Sequence, residues 1–326
     1  MSDFTSFNNK TVVVTGAAGF LGSHLCDALI AAGAKVIGVD NFLTGDADNL
    51  TQLSNHDHFV FVEADVNQQP SSYLPANEKI ECIFHFASPA SPPLYQAHPV
   101  ETYLVNSMAT HQLLQYLLQH NPAARFVFAS TSEIYGDPEI HPQVESYWGN
   151  VNPNGIRSCY DEAKRLGETI CGVHQRDFEM DVRIVRIFNT YGPRMDINDG
   201  RVIPNFIKQI LNQQPLELYG DGTQTRSFCY VDDLINGIMK LASVDAGSGK
   251  SINIGNPTEF TMLEAVAVLE SITGTKLETV FKPLPQDDPV RRKPDITLAK
   301  HVLEWQPTIS FEEGLKKTIE YFRQRA

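Results

Sequence analysis

Short apolar runs, rich in β-branched residues, recur along the first half of the chain. Thr11–Thr15, Lys35–Val39, Phe59–Val62, Ile80–Phe86, Arg125–Ala129 and Val182–Arg186 are nearly continuous in hydrophobicity. A strand with one face in water alternates apolar and polar positions, whereas a strand covered on both faces does not. The pattern therefore predicts buried strands of a parallel sheet. Between the first two runs, Leu21, Leu25, Ala28, Leu29 and Ala32 repeat at helical spacing, and Gly33 supplies a stop. Leu113, Leu114, Leu117 and Leu118 mark the face of another helix that ends near Asn121 and Pro122. This alternation predicts an α/β fold, a doubly wound parallel Rossmann-type sheet with right-handed crossovers.

After about residue 190 the rhythm breaks, and shorter mixed elements with frequent Gly and Pro take over. Residues 1–190 are expected to form the Rossmann domain. Residues 191–326 are expected to form mainly a smaller mixed α/β substrate lobe. Segments within about 228–256, Tyr230–Ala242 and Ser251–Ile254, are expected to return to the first domain.

Composition narrows the possibilities. A chain of 326 residues, 42% of them hydrophobic, can bury a core without disulfides or metals. Its five cysteines, Cys26, Cys82, Cys159, Cys171 and Cys229, form no CxxC. This spacing predicts neither a disulfide framework nor a zinc site, and fits the reducing cytosol. Met1–Lys10 lacks the apolar run of a signal peptide, and no stretch has the length of a membrane span. The net charge of −13 argues against nucleic acid as a partner. An anionic small molecule would need a local cluster of arginines.

Candidate chemistry starts at Gly16, Gly19 and Gly22, a GxxGxxG that follows the first strand and opens the first helix. Glycines there permit a tight turn, close approach of a pyrophosphate and close packing of helix on strand. The helix N-terminus offers free N–H groups to phosphate. Asp40 ends the second strand, where a carboxylate accepts the adenosine ribose hydroxyls and repels a 2′-phosphate. This predicts NAD rather than NADP, with Asp65 placed to bond the adenine amine. Tyr160 and Lys164, four apart in a segment that reads as a helix from Ser158 to Glu168, share one face. A nearby ammonium and the positive nicotinamide favour the phenolate, so Lys164 and the cofactor together are expected to lower the Tyr160 pKa and make it a base. Thr131 follows the strand Arg125–Ala129 at its carboxyl end, where ligands bind in such sheets.

Gly16, Gly19, Gly22, Thr131, Tyr160 and Lys164 together resemble the extended short-chain dehydrogenase/reductase superfamily. Longer motifs narrow the match: His85–Pro93, Ser130–Pro138, Tyr147–Lys164, Arg186–Met195 and Pro285–Ile296 resemble UDP-glucuronate decarboxylases, also called UDP-xylose synthases. The resemblance runs from about residue 10 to 324. It implies a redox-neutral reaction that converts UDP-glucuronate to UDP-xylose, with NAD retained throughout. Tyr160 takes the C4 hydroxyl proton, the 4-keto sugar loses CO₂, and hydride returns to C4. Thr131 shares the proton, and Ser132 and Glu133 assist around C5. Arg292 lies by the substrate carboxylate or diphosphate. The cofactor site extends to Ala18, Phe20, Leu21, Asn41, Phe42, Val66 and Ala87. The substrate site takes in Pro89, Asn189, Arg194, Arg201, Val202, Asn205, Tyr219 and Arg226, whose arginines supply local positive charge. Cys159 reads as helix filling.

Ser132 stands where related 4,6-dehydratases carry an Asp, so dehydration lacks its acid. Two positions depart from the family: Ile203-Pro204 replaces a usual Val-Ser, and Cys229 occupies a variable site. Pro204 is expected to bear on the uridine-contacting loop. Family members that carry a membrane anchor begin with a segment not seen here. The resemblance also implies a homodimer built on helices spanning about Glu101–His120 and Ser158–His174. The alternatives are another NAD-dependent UDP-sugar 4-epimerase or 4,6-dehydratase, or a non-catalytic NAD-binding scaffold on the same fold.

Overall fold

Three consecutive valines of β1 (Thr11–Thr15) explain why the apolar runs are continuous. In the computed structural model, which describes residues 4–76, 78–283 and 291–325, Val12 and Val14 pack into one core and Val13 into a second. All three are fully buried. Side chains alternate across a strand, so a strand between two cores needs apolar residues at every position. β2 (Lys35–Asp40), β3 (Phe59–Glu63), β4 (Ile80–His85), β5 (Arg125–Thr131) and β6 (Asp181–Ile187) join β1 in the order β3-β2-β1-β4-β5-β6, all parallel. The direction of winding reverses between β1 and β4, which opens a crevice at the carboxyl ends of these strands.

α1 (Phe20–Ala31) follows β1 and covers one face through Leu25 and Leu29. It ends just before Gly33, whose φ of +84° suits glycine. Between β4 and β5 run α2 (Pro92–Ala97), α3 (Pro99–Asn106) and α4 (Met108–His120). Leu113 and Leu117 of α4 fill the second core. The single helix expected over 101–120 is broken at Ser107, with φ −116° and ψ −73°. Polar side chains take the backbone acceptors at the break. Asn106 Nδ2 donates to Thr102 O, Ser107 Oγ to Tyr103 O and Thr110 Oγ1 to Asn106 O. α5 (Ser158–Phe178) runs ten residues beyond the expected Glu168.

The second half contains β7 (Thr190–Tyr191), α6 (Val202–Leu211), β8 (Leu216–Tyr219), β9 (Thr225–Ser227), β10 (Cys229–Tyr230), α7 (Val231–Ser243) and β11 (Ser251–Ile254). β12 (Glu259–Thr261), α8 (Met262–Thr273), β13 (Thr279–Lys282), β14 (Arg291–Arg292), α9 (Thr297–Leu303) and α10 (Phe311–Arg323) complete it. β11 extends the main sheet beyond β6, and α7 adds Leu234 and Ile238 to the core that α1 covers. Two small sheets, β12-β9-β14 and β13-β8, lie outside the main sheet. Pro204 falls in the first turn of α6, where no intrahelical N–H is required, so the helix starts undisturbed. Pro285–Val290 of the quoted motif lie outside the described residues. Among the described residues, no helix is long and apolar enough to cross a membrane.

Candidate active site

The glycine loop sits at the crevice, and each glycine acts differently. At Gly22 a Cβ would lie 1.9 Å from Gly16 O, so this position lets α1 press on the loop. Gly16 has φ +74°, and a Cβ there would meet the Phe86 and Ala87 backbone at 2.8 Å. Gly19 has an ordinary extended conformation and caps α1; its bareness leaves room in the cleft it lines. Behind the loop, Thr15 Oγ bonds His85 Nδ1 at 2.8 Å, joining the ends of β1 and β4. The opposite His85 nitrogen faces Val105 O at 2.9 Å, so it carries the proton. Burial lowers the His85 pKa to about 3, which keeps the ring neutral.

Asp40 Oδ2 accepts from Ala18 N at 2.9 Å and Oδ1 from Phe42 N at 2.8 Å. It thus shapes the loop and also lines a small cavity with Asn41, Asp65, Val66, Ala87 and Pro89. Pro89, expected at the substrate, lines this small cavity. Ala18 is fully buried, and its amide is taken by Asp40.

An adjoining cleft of about 1030 Å³ gathers Phe20, Leu21, Phe42, Thr131, Ser132, Glu133, Tyr160 and Lys164. Asn189, Arg194, Arg201, Val202, Tyr219, Arg226 and Arg292 line it from the other side. Asn205 does not line it; its amide donates to Gly200 O at 2.9 Å.

Thr131, the last residue of β5, lies near enough to the Tyr160 phenol to pull its pKa down. Lys164 Nζ donates to Ala129 O at 2.6 Å and lies 5.6 Å from the Tyr160 ring centroid. Of the two charges expected to lower the Tyr160 pKa, Lys164 by itself does not do so. Burial raises the phenol well above its ordinary value, with Thr131 only partly opposing it. Burial also lowers the Lys164 pKa to about 7. Both groups lie in a water-excluded pocket that disfavours either charge. Tyr95, which no motif singled out, stacks on Tyr160 with centroids 5.0 Å apart.

Glu133 lies between two guanidiniums. Its Oε2 accepts from Arg157 Nη2 at 2.6 Å, and its Oε1 pairs with Arg292 Nη1. Burial alone would raise this carboxyl, but Arg292 and Arg157 outweigh it and hold Glu133 well below the ordinary carboxylate range. The local positive charge expected of the arginines is largely balanced. Arg194 pairs with Asp27 at 2.6 Å and Arg201 with Asp199 at 2.5 Å. Such pairing offsets the cost of placing guanidiniums in a low-dielectric cleft. Arg157 and Asp199 escaped sequence reasoning because neither has a chemically telling spacing to its partner. Cys159 is half-buried and directs its thiol to Tyr95 O at 3.6 Å.

The loop fits a dinucleotide. α1 begins with no side-chain cap and no acidic residue in its first turn, so its first amides face the cleft available to phosphate. Gly16 and Gly19 line both cavities, Asp40 and Asp65 the smaller one, and Tyr160 and Lys164 the larger. Fold and site together define an NAD-dependent enzyme of the Rossmann class.

The chain belongs to the NAD dependent epimerase/dehydratase family, whose model matches residues 12–255. Relatives that match nearly the whole of this chain, and are themselves longer, are UDP-glucuronic acid decarboxylases. UDP-glucuronic acid decarboxylase 1 of Danio rerio is 46% identical over 97% of this chain and 73% of its own. UDP-glucuronic acid decarboxylase 4 of Arabidopsis thaliana is 48% identical over 96% of this chain and 69% of its own. Among solved structures, a UDP-glucuronic acid 4-epimerase of Bacillus cereus in complex with UDP-glucuronic acid and NAD has 30% identity. Its TM-score is 0.85, over 97% of this chain and 100% of that one.

Proposed function

We infer that this enzyme decarboxylates UDP-glucuronate to UDP-xylose with NAD as a retained cofactor. One observation carries the reading. In the cleft that holds the Thr131–Tyr160 pair, Glu133 is flanked by Arg157 and Arg292, a site built for carboxylates. Tyr160, assisted by Thr131, removes the proton from the sugar C4 hydroxyl. NAD, which the glycine loop and the Asp40 cavity would hold, would supply a reversible hydride acceptor for C4 and, when oxidised, a positive charge that favours the phenolate. With C4 a ketone, the sugar is a β-keto acid. The C5–C6 bond breaks, CO₂ leaves, and the electron pair moves onto the C4 oxygen as an enolate. Arg292 holds the carboxylate while Glu133 keeps Arg157 as its second partner. Protonation at C5 and return of hydride complete UDP-xylose. Ser132, buried at the cleft, offers no carboxylic acid for expulsion of a hydroxyl. The test is incubation with UDP-glucuronate and NAD, with NMR and mass identification of the sugar. UDP-xylose and CO₂ are expected; UDP-galacturonate would mark an epimerase instead.

The enzyme acts as a homodimer in the cytosol. Val100 and Tyr103 of α3, Met108 of α4 and Leu166 of α5 are 44–49% exposed, an apolar surface suited to a two-fold contact. The free cysteines suit a reducing compartment. Light scattering should give twice the 36.3 kDa of one chain; a single-chain mass at micromolar concentration rejects the dimer. Fractionation of cells should place the enzyme in the soluble cytosolic fraction.

A further inference from the structure

Arg292 sits on β14, which pairs in parallel with β9 on one side, Arg292 opposite Arg226. Its other side is held by Gln143, a residue of an irregular loop. Gln143 N donates to Lys293 O at 2.9 Å, and Lys293 N donates to the Gln143 side-chain Oε1 at 2.8 Å. Asp295 N donates to Gln143 O at 2.8 Å. The Gln143 Nε2 donates to Ile140 O at 2.9 Å. Fully buried Gln143 thus holds two positions after Arg292, Lys293 and Asp295, one bond coming from its side chain and two from its backbone. Asn253 of β11, also fully buried, ties the same clamp to the main sheet. Its Nδ2 donates to Gln143 O at 3.0 Å and to Asp295 O at 3.2 Å.

The connection continues to the catalytic strand and helix. Asn253 Oδ1 accepts from Tyr135 Oη at 2.8 Å, and Tyr135 Oη accepts from Arg186 Nη1 at 2.9 Å. Arg186 Nη2 pairs with Glu168 at 2.8 Å, and Ser130 Oγ donates to Glu168 at 2.5 Å. Ser130 adjoins Thr131, and Glu168 lies one turn after Lys164. Satisfied buried networks of this kind specify one arrangement, because any other leaves polar groups unpaired.

We propose that Gln143 and Asn253 are positioning residues that set Arg292 against Glu133 for the carbon–carbon cleavage step. Neither touches the cleft, since both are absent from its lining and act through the backbone of residues 293–295. The proposal rests on the decarboxylase reading. It explains why a chain should bury two uncharged amides between two lobes. They give Arg292 a reference to the strand and helix that carry Thr131, Tyr160 and Lys164.

The test compares Gln143→Met, Gln143→Glu, Asn253→Asp, Arg292→Ala and the Gln143→Met/Arg292→Ala pair. Gln143→Met keeps the volume and removes the bonds to Lys293 N and Ile140 O. CO₂ release should fall about 100-fold, the scale set by a misplacement of ~1 Å at a reacting centre. The single-turnover appearance of NADH and the NAD affinity should stay within about twofold, the accuracy of distant-site additivity. Gln143→Glu, kept protonated by full burial, retains an oxygen facing Lys293 N and a donor facing Ile140 O, and should recover most of the rate. In the Arg292→Ala background, Gln143→Met should add almost no further loss. Wild-type CO₂ release from Gln143→Met, or losses that multiply in the double variant, would overturn the proposal. So would equal losses in NADH formation and CO₂ release. If Gln143→Met does not fold by circular dichroism, Asn253→Asp carries the same comparison. If the wild type forms no CO₂, the decarboxylase reading itself fails. The cycle is then read on UDP-glucuronate affinity by calorimetry, where non-additivity still decides whether Gln143 acts through Arg292.

Discussion

The Tyr95 ring lies flat against the Tyr160 ring, with centroids 5.0 Å apart and planes 5° from parallel. Two aromatic rings in this contact restrict each other's rotation, so the Tyr160 oxygen is held beside Thr131 before substrate arrives. Tyr95 belongs to the short helix α2 and Tyr160 to α5, so the stack also locks these helices together.

Tyr160→Phe keeps the ring and the stack but removes the proton acceptor. Turnover should fall by about 10²–10⁴-fold, the usual worth of a positioned acid–base group. Calorimetry should still show UDP-glucuronate binding. NADH formation at the wild-type rate would move the base role to another group, Thr131 first.

Gly22→Ala and Gly19→Ala should separate folding from cofactor binding. The first puts a methyl 1.9 Å from Gly16 O, a clash with backbone that cannot relax cheaply. It should lower stability by at least ~3 kcal/mol in urea unfolding, the range of severe core overpacking. The second meets only Gly16 O at 3.2 Å, and should fold while losing NAD affinity in calorimetry. Equal stability of the two variants would contradict this division.

Glu133→Gln should cost about 3–5 kcal/mol at neutral pH, because it leaves two buried guanidiniums without their carboxylate. The folded pKa of Glu133 lies below the unfolded value of about 4.3. Its stabilising contribution is therefore complete above that value and disappears as pH falls through the lower folded one. Thermal melts should show a constant gap between wild type and variant down to about pH 4, closing only in stronger acid. A gap that closed near pH 6 would refute the pairing.

Lys164 gives a pH dependence of the same sign in a higher window. Burial lowers its folded pKa to about 7, against about 10.4 in the unfolded chain. Between these values the unfolded chain holds the proton and the folded chain does not, so stability rises with pH. Without NAD, Lys164→Met should melt above the wild type at pH 6. That advantage should vanish near pH 10. Parallel melting curves across this range would place Lys164 in contact with water.

Much of the frame was legible because it is local. The continuous valines of β1 report two covered faces, and Gly16, Gly19 and Gly22 report a loop that only bare backbone can make. Tyr160 and Lys164 share a helix face by spacing alone. The break at Ser107 was hidden, since the apolar periodicity runs through it and only the Asn106, Ser107 and Thr110 hydrogen bonds reveal it.

The sequence by itself determined the strand order's raw material, the dinucleotide loop and the Tyr–Lys pair, because periodicity and turn chemistry act over a few residues. Only the tertiary structure decided how those groups are charged. It put Glu133 between Arg157 and Arg292, residues 24 and 159 positions away. It paired Arg194 with Asp27 and Arg201 with Asp199, turning an expected positive cluster into balanced pairs. It also buried Tyr160 and Lys164 together, which raised one pKa and lowered the other. Ionisation depends on distance to partners and on exclusion of water, and chain spacing carries neither.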